Sequence, residues 1–138
     1  MWEDRFIDMV KEVAKWSKDP DEGVGALLVS PDKRSFSAGY NGFPRGIADE
    51  EWRLLDKCVK NSLTIHAEEN AILNAKRDLA GWTIYTTKPP CTRCALVIVQ
   101  VGITEIVMPL PDPESSWFND NINATLVLSE AGVKIYKF

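Results

Sequence analysis

The stretch HAEENAILNA, residues 66–75, contains the only histidine of the chain, with a glutamate two positions after it. Apolar residues then recur four positions apart at Ala71, Ala75 and Leu79, which is the spacing of one helix face. The pattern predicts a helix that begins at His66 and runs to about Leu79. The single imidazole therefore lies at the amino-terminal end of a helix, with acidic residues in its first turn.

The chain before this helix predicts a long helix, a hairpin and a short helix. Apolar residues recur at spacings of three and four, as expected of an amphipathic helix that packs on a core and stops before Pro20. This stripe consists of Trp2, Phe6, Met9, Val10, Val13 and Trp16. The segments GVGALLVS (23–30) and SFSAGYN (35–41) predict two strands joined by the turn PDKR, and residues 49–60 predict a short helix.

After the histidine-bearing helix, strands and helices alternate. The predicted elements are a strand at 83–87, a helix at 92–101, a strand at 104–109, a helix at 117–131 closed by Gly132, and a final strand at 133–138. Such alternation is typical of a largely parallel sheet covered by helices on both faces. The sequence therefore predicts an α/β fold.

The composition is that of an ordinary globular protein. The chain has 138 residues, 45% of them hydrophobic and 26% charged, and we expect one domain over residues 1–138. A net charge of −4 argues against a broad nucleic-acid surface, which needs clustered lysine and arginine. The acidic segment MWEDRFIDMV is unlike a secretory signal, and no stretch reaches the length of a membrane span. We therefore expect a cytoplasmic protein that contacts neither nucleic acid nor membrane.

Three cysteines form an odd set, and two of them, Cys91 and Cys94, have the spacing C-x-x-C. Together with His66 they would supply three zinc ligands and leave a fourth position for water, as in catalytic sites. Both segments lie at predicted helix starts, where the amide dipoles favour thiolates. The alternatives are a redox pair, or a closed structural zinc site with Cys58 as the fourth ligand. A buried thiol without a role is the expectation for Cys58.

Glu68 follows the predicted ligand His66 by two positions. On a regular helix it would not share the direction of the histidine, but at a helix entrance it can reach the same cleft. A carboxylate beside a zinc-activated water can accept its proton and pass it to a ring nitrogen and a leaving amine. The order H-x-E followed by P-C-x-x-C is the signature of zinc-dependent nucleobase deaminases. Glu68 is therefore the predicted general acid and base.

These motifs resemble the cytidine deaminase superfamily and, within it, the deoxycytidylate (dCMP) deaminases. The similar segments are WSKDP (16–20), VGALLV (24–29), GYNGFPRG (39–46), HAEENAI (66–72), PPCTRCA (89–95) and GITEIV (102–107). The resemblance implies a three-layer α/β/α sandwich with a five-stranded mixed sheet. It also implies zinc-dependent hydrolysis of dCMP to dUMP and ammonia, which supplies dUMP for thymidylate synthesis.

The resemblance also implies the composition of the metal site. Glu68 matches the general acid and base of the family, and the residues that match its zinc ligands are His66, Cys91 and Cys94. Several relatives carry a second, structural zinc built from cysteine and histidine in the insert before H-A-E. Here residues 47–65 offer only Cys58, so we predict one catalytic Zn²⁺ per subunit.

Substrate contacts are implied in the same way. Asn41 matches the asparagine that contacts the deoxyribose, and the main-chain groups of Ala67 and Pro89 lie where the family holds the pyrimidine edge. Ser17 and Lys18 in the SKDP turn are our candidates for binding the 5′-phosphate. Taken alone, Asn41 before a glycine is also a normal turn residue, and a lysine such as Lys18 is usually solvated.

Members of this family are typically hexamers that dCTP activates and dTTP inhibits at a second site between subunits. We therefore expect a homo-oligomer, with a hexamer favoured, and Mg²⁺ accompanying a bound triphosphate. The residues that match the regulatory regions are Gly42, Phe43, Arg45, Asn74 and Arg77.

Three further interpretations of the sequence stay open beside dCMP deamination. The acidic, proline-rich segment PLPDPESSW (109–117) departs from the family pattern, and a pocket that tolerates a triphosphate would make dCTP a second substrate. A deaminase of a base in a polynucleotide would need a basic, aromatic-lined channel, against which the acidic composition argues. A zinc-stabilised nucleotide sensor without catalysis would not require Glu68.

Overall fold

The computed structural model describes residues 1–138, which form six helices and five strands. The helices are α1 (Trp2–Ala14), α2 (Glu51–Leu55), α3 (Lys57–Leu63), α4 (Ala67–Ala75), α5 (Thr92–Gln100) and α6 (Phe118–Glu130). The strands are β1 (Gly25–Val29), β2 (Phe36–Tyr40), β3 (Thr83–Thr86), β4 (Glu105–Met108) and β5 (Lys134–Lys137). None of the helices is both long enough and apolar enough to cross a bilayer.

The five strands form one mixed sheet in the order β2-β1-β3-β4-β5. β1 pairs antiparallel with both β2 and β3, whereas β3, β4 and β5 are parallel to one another. The parallel half follows from the crossover helices α5 and α6, since parallel neighbours need a long connection. The mixed sheet is confirmed, and the largely parallel sheet expected from strand–helix alternation describes only half of it.

Helices cover both faces of the sheet, which makes three layers. On one face α1 packs on alternate strand residues through a cluster of Phe6, Val10, Leu27, Val29, Tyr85 and Val107. On the other face α4, α5 and α6 share a larger core with the strand residues between them. The fully buried members of that core include Ala26, Leu28, Ala71, Ile84, Ile98, Ile106, Met108 and Leu128. The predicted three-layer sandwich is confirmed.

The apolar stripe predicted for the first helix is only partly buried. Phe6, Val10 and Val13 are buried, and the helix ends at Ala14, six residues before Pro20. The remaining large side chains of the stripe are exposed: Trp2, Met9 and Trp16. The prediction was wrong for these three because α1 packs on the sheet along a narrow line, with Trp16 lying beyond its end.

The helices around the histidine are shorter than predicted. α4 ends at Ala75 and not near Leu79, because Lys76 adopts a left-handed conformation with φ of 52°. The predicted helix at 49–60 is two helices, since Asp56 is extended and its carboxylate accepts hydrogen bonds from two amides that begin α3. Cys58 is exposed on α3, so the expected buried thiol is wrong.

β2 and α4 approach each other closely at Gly39. A Cβ atom on this residue would lie 2.5 Å from the Ala67 carbonyl oxygen and closer still to the Ala71 amide, so only glycine fits. Two residues earlier, the Ser37 hydroxyl donates to the Ala71 carbonyl at 2.6 Å. The helix is thereby fixed against the strand, with its backbone in direct contact with the strand at Gly39.

Candidate metal centre and active site

Two helices begin near the same point, beyond the carboxyl end of the central strand β3. His66 is the N-cap residue of α4 and Cys91 is the N-cap residue of α5, and both have extended backbones. Residues 87–90 connect the end of β3 to Cys91. Helix amino termini carry unpaired amides and partial positive charge, which stabilise nearby anions. The predicted position of both motifs at helix starts is confirmed.

The three predicted ligands lie together. The ligand atoms of His66, Cys91 and Cys94 all lie within 4.8 Å of one another. Both sulfurs are 3.4 Å from the same ring nitrogen, Nδ1 of His66, which identifies Nδ1 as the atom that faces a metal. One imidazole and two thiolates are soft, mixed donors that suit zinc, and three ligands leave a coordination position open. Cys58, exposed on α3, lies outside this group, so it is not a fourth ligand.

Of the two cysteines at this centre, Cys91 is the one whose sulfur carries the negative charge of a thiolate. The Cys94 thiol, the His66 ring and the Cys94 amide hydrogen-bond to its sulfur, which lowers the pKa of Cys91 to about 4. Hydrogen bonding to Cys91 and burial raise the pKa of Cys94, because its proton is shared with that sulfur. The same contact with Cys91 raises the pKa of His66 to about 9. A thiolate held at neutral pH is the form that binds metal.

Glu68 lies in the first turn of α4 and is only 4% exposed. Burial raises its pKa to about 7, although its own backbone amide and the charge of His66 act in the opposite direction. A carboxyl group with a pKa near neutrality exchanges protons readily in both directions at physiological pH. The helix entrance therefore places a buried carboxyl group beside the metal-binding side chains; its role in proton transfer stays a prediction.

Comparison with known proteins identifies the family. A model of the cytidine and deoxycytidylate deaminase zinc-binding region matches residues 1–110. The chain belongs to this deaminase family. An uncharacterized deaminase in the luxG 3′ region of Aliivibrio fischeri is 40% identical over 136 residues, covering 97% of this chain and 91% of that protein.

Two further relatives extend the likeness over the whole chain. The deoxycytidylate deaminase of Homo sapiens is 34% identical over 149 residues, covering 99% of this chain and 79% of the human protein. The dCMP deaminase of cyanophage S-TIM5, crystallised with dCMP and dUMP, superimposes with a TM-score of 0.80 at 24% identity. That match covers 99% of this chain and 96% of the phage protein and shows that the fold is the same.

In this deaminase, Asn41 is buried and its side chain is fully engaged with the protein. Its Oδ1 accepts from the Val24 amide at 2.8 Å, and its Nδ2 donates to the Glu22 carbonyl at 3.0 Å and to Asp19 Oδ2 at 3.4 Å. The Ser17 hydroxyl donates to the Asn41 carbonyl at 2.9 Å. The SKDP turn and the end of β2 are therefore joined by hydrogen bonds, which brings two of the predicted substrate contacts together.

Lys18 lies apart from this network. Its ammonium group pairs with Asp49 Oδ2 at 3.0 Å, and its side chain is 70% exposed. Lys60, which the sequence did not single out, is instead the buried cation of the region, with its side chain 5% exposed. Its Nζ donates to Asp19 Oδ1 at 2.9 Å and to a carboxylate oxygen of Asp21. A buried lysine carries no local sequence signal, because its partners lie about 40 positions earlier in the chain.

The predicted regulatory residues divide into two groups. Four of them, Gly42, Phe43, Arg45 and Asn74, line one cleft of about 330 Å³ on the outer side of α4. Arg45 donates to Asn74 Oδ1 at 3.4 Å. Arg77 does not reach this cleft, because its guanidinium stacks on the Trp82 ring at 4.9 Å. The left-handed residue before it, Lys76, ends α4 and turns the chain away from the cleft.

α6 also contacts the metal-binding loop, a contact that the sequence did not predict. Asn121 is buried and donates through Nδ2 to the carbonyls of Pro90 at 3.1 Å and Pro89 at 3.3 Å. Asp120 accepts from the Thr92 amide at 2.9 Å and from the Thr92 hydroxyl at 2.8 Å. Polar residues in the segment NDN would have been the only signal, and such residues are common in first helical turns.

Proposed function

We propose that the chain catalyses the hydrolytic deamination of dCMP to dUMP and ammonia. The observation that carries the proposal is the buried Glu68 carboxyl, with a pKa of about 7, beside three zinc-compatible ligands. A structural zinc site needs no proton-transfer group of this kind. Relatives named as deoxycytidylate deaminases, among them the human protein, support dCMP as the substrate.

His66 Nδ1 and the sulfurs of Cys91 and Cys94 would hold Zn²⁺. When bound, zinc lowers the pKa of a coordinated water toward ~7 and supplies a nucleophile for C4 of cytosine. Glu68 would accept a proton from the attacking water and donate it to N3 of the ring. It would then pass the second proton of the water to the 4-amino group. The bond between C4 and that nitrogen breaks, and the amine leaves as ammonia. One water is consumed, and its oxygen becomes the carbonyl oxygen of dUMP.

Main-chain groups at the two helix starts would orient the pyrimidine. The Ala67 amide is in the first turn of α4 and has no partner within the helix, so it can donate to a pyrimidine acceptor. The Pro89 carbonyl accepts one hydrogen bond from Asn121 and retains a second lone pair for a substrate donor. The Ala67 amide is positioned by the backbone of α4, and the Pro89 carbonyl is held by its hydrogen bond from Asn121.

The sugar and phosphate contacts rest on the SKDP turn. Both ends of the Asn41 side-chain amide are already hydrogen-bonded within the protein. In our proposal Asn41 therefore gives up one of these bonds when it contacts the deoxyribose. Ser17 and Lys18 are our candidates for the 5′-phosphate. Lys18 is exposed and its pairing with Asp49 is the interaction that a phosphate would replace.

The direct test is ammonia release from dCMP, dCTP, deoxycytidine and CMP in parallel, with zinc-loaded protein. We expect turnover of dCMP to exceed that of the other three. Comparable turnover of dCTP would make the enzyme bifunctional. Activity on a tRNA or oligonucleotide that exceeds activity on dCMP would refute the proposal, and inertness of zinc-loaded protein toward all substrates would favour a nucleotide sensor.

We also propose that the outer cleft binds a regulatory nucleotide. It offers the Arg45 cation and the amides of Asn70 and Asn74, which donate to the Tyr40 and Ala38 carbonyls. A triphosphate with Mg²⁺ matches this mixture of cation and hydrogen-bonding groups. The proposal includes activation by dCTP, inhibition by dTTP and a hexamer that forms the complete site.

Titration of dCMP turnover with dCTP and dTTP tests the regulatory proposal. We expect Arg45→Ala to weaken the response to both nucleotides, because a charge-assisted contact to phosphate is lost. Arg77→Ala is the matched control, since Arg77 lies outside the cleft. Equal responses in the two variants would remove the outer cleft as the effector site. Light scattering at several protein concentrations measures the oligomer.

A further inference from the structure

The first turn of α6 makes a set of hydrogen bonds to the segment that carries the first thiolate ligand. Asn121 uses its amide group to reach two consecutive carbonyls, those of Pro89 and Pro90. Asp120 uses both carboxylate oxygens on Thr92, one for its amide and one for its hydroxyl. The bonded residues are 89, 90 and 92, so Cys91 lies between them.

The sequence of the loop explains why it needs an external partner. Neither Pro89 nor Pro90 has a backbone N–H, so the loop cannot be held by strand-like pairing at these positions. Their carbonyls still require donors, and a buried amide with two N–H groups supplies both. Asn121 is 6% exposed, and leaving these carbonyls unpaired would be costly at that depth.

Asp120 caps the amino terminus of α5 from a different helix. An N-cap side chain normally accepts from the first amides of its helix, but the N-cap of α5 is Cys91, whose sulfur is a metal ligand. Among the first amides of α5, the sulfur accepts that of Cys94, at 3.4 Å. Asp120 accepts the Thr92 amide instead. A carboxylate from another helix therefore caps α5 and leaves the sulfur directed toward His66.

We propose that Asp120 and Asn121 are positioning residues, which fix residues 89–92 so that Cys91 Sγ and the Pro89 carbonyl face the reaction site. Both lie beyond residue 110, outside the segment that matches the family model. α6 does not depend on these bonds for its attachment to the core, because Ala124 and Leu128 are fully buried there. The substrate part of this inference rests on dCMP deamination, whereas the metal part does not.

Zinc release to a chromophoric chelator, from zinc-loaded protein, tests the metal part. Loss of a residue that orients a ligand typically weakens metal binding by about 10- to 100-fold, so we expect Asp120→Ala to release zinc at least about tenfold faster. Asp120→Asn should restore nearly wild-type release, because its amide can accept from the Thr92 amide and donate to the Thr92 hydroxyl. Asn119→Ala is the matched control, since Asn119 is the exposed neighbour on the same turn.

Steady-state kinetics with dCMP test the substrate part. Asn121→Asp keeps the size of the side chain but removes its donors, so the Pro89 carbonyl is displaced and KM for dCMP should rise about tenfold. Unchanged zinc release and unchanged KM, with only a lower melting temperature, would overturn the proposal and leave α6 a purely structural support.

The two readouts separate the two ways in which the inference could fail. If Asn121→Asp does not fold, Asp120→Ala decides the question, because Asp120 is half-buried and its loss leaves no core cavity. Faster zinc release from Asp120→Ala, in a protein that does not deaminate dCMP, would support the positioning role and refute the proposed function. Zinc release from Asp120→Ala at the wild-type rate, with normal dCMP turnover, would refute the positioning role and support the proposed function.

Discussion

The metal centre and the cluster around Lys60 both bury ionisable side chains, but with opposite electrostatic results. At the metal centre, burial of Glu68 outweighs its favourable contacts and raises its pKa to about 7. Around Lys60, burial alone would lower the pKa, but the hydrogen bonds and charges of Asp19 and Asp21 outweigh it and raise the pKa above 10.5. Glu68 can therefore change its protonation near neutral pH, whereas Lys60 remains charged.

The difference shows that burial by itself does not make a reactive group. The partners decide whether a buried charge is held fixed or left free to exchange a proton. Lys60 meets the carboxylates of Asp19 and Asp21 and so joins α3 to the segment around the SKDP turn. At the metal centre, by contrast, the Glu68 carboxyl is free to exchange a proton, and the three ligands would leave one coordination position of a bound zinc open.

Cys91→Ala should abolish both metal binding and turnover. Removing one of three ligands leaves two, which is too few to retain a catalytic zinc. Elemental analysis after gel filtration should show loss of zinc, and ammonia release should fall to background. Cys58→Ala is the matched control, because the same thiol is removed from an exposed position on α3. Full zinc occupancy in Cys91→Ala would mean that the metal is held elsewhere.

Glu68→Gln should keep the metal but lose proton transfer. General acid–base groups typically contribute about 10²–10⁴-fold to rate, and we expect kcat to fall by that factor with zinc content unchanged. Glu69→Gln, the neighbouring carboxylate on the same turn, serves as the control and should retain its activity. A Glu68→Gln enzyme with wild-type kcat would show that another group transfers the proton.

Lys60→Met should lower the free energy of unfolding by about 2 kcal/mol, as expected when charge-assisted hydrogen bonds are lost. Because the pKa of Lys60 is raised above 10.5 in the folded protein, its contribution is fully present below that pH and is lost as pH rises through the folded-state pKa. The hydrogen bond from Lys60 lowers the pKa of Asp21 below 3.8, so that contribution is lost only as pH falls through the lowered value.

Urea unfolding between pH 4 and 11 measures this dependence. The wild type and Lys60→Met should differ most across the neutral range and converge at the alkaline end. Lys57→Met makes the same substitution on the exposed side of α3 and controls for the loss of one positive charge. A difference that does not change with pH would mean that Lys60 stabilises the fold by packing alone.

Lys18→Ala should have the smallest effect on folding. Its pair with Asp49 is exposed, and such pairs contribute about 0.2–1 kcal/mol. If Lys18 binds the 5′-phosphate, KM for dCMP should rise while KM for deoxycytidine stays the same. An equal change for both substrates would remove Lys18 from the phosphate site.

The sequence predicted the metal centre well because its signals are local. The spacing of Cys91 and Cys94, and of His66 and Glu68, fixes each pair within one helical turn, and the helix starts bring the pairs together. The three-layer fold followed from the resemblance. The alternation of elements by itself predicted a more parallel sheet than the one observed.

The remaining features depend on contacts between distant parts of the chain. Lys60 and its partner Asp19 are 41 positions apart in the chain, and Asn121 and Pro90 are 31 apart. No short sequence motif can therefore predict either hydrogen bond. The resemblance assigns Arg77 to the regulatory residues, on a helix that the sequence predicts to run to about Leu79. One left-handed residue, Lys76, ends that helix at Ala75, and Arg77 lies outside the cleft that the other four residues line.

The close approach at Gly39 has a mechanical consequence. With no side chain between Gly39 and the backbone of α4, β2 and α4 are in direct contact between the outer cleft and the helix start that carries His66 and Glu68. If a nucleotide binds the outer cleft as proposed, a displacement of β2 there would pass to α4 without a flexible side chain to absorb it. The proposed regulation would then act on the metal centre through the orientation of His66 toward the two thiolates.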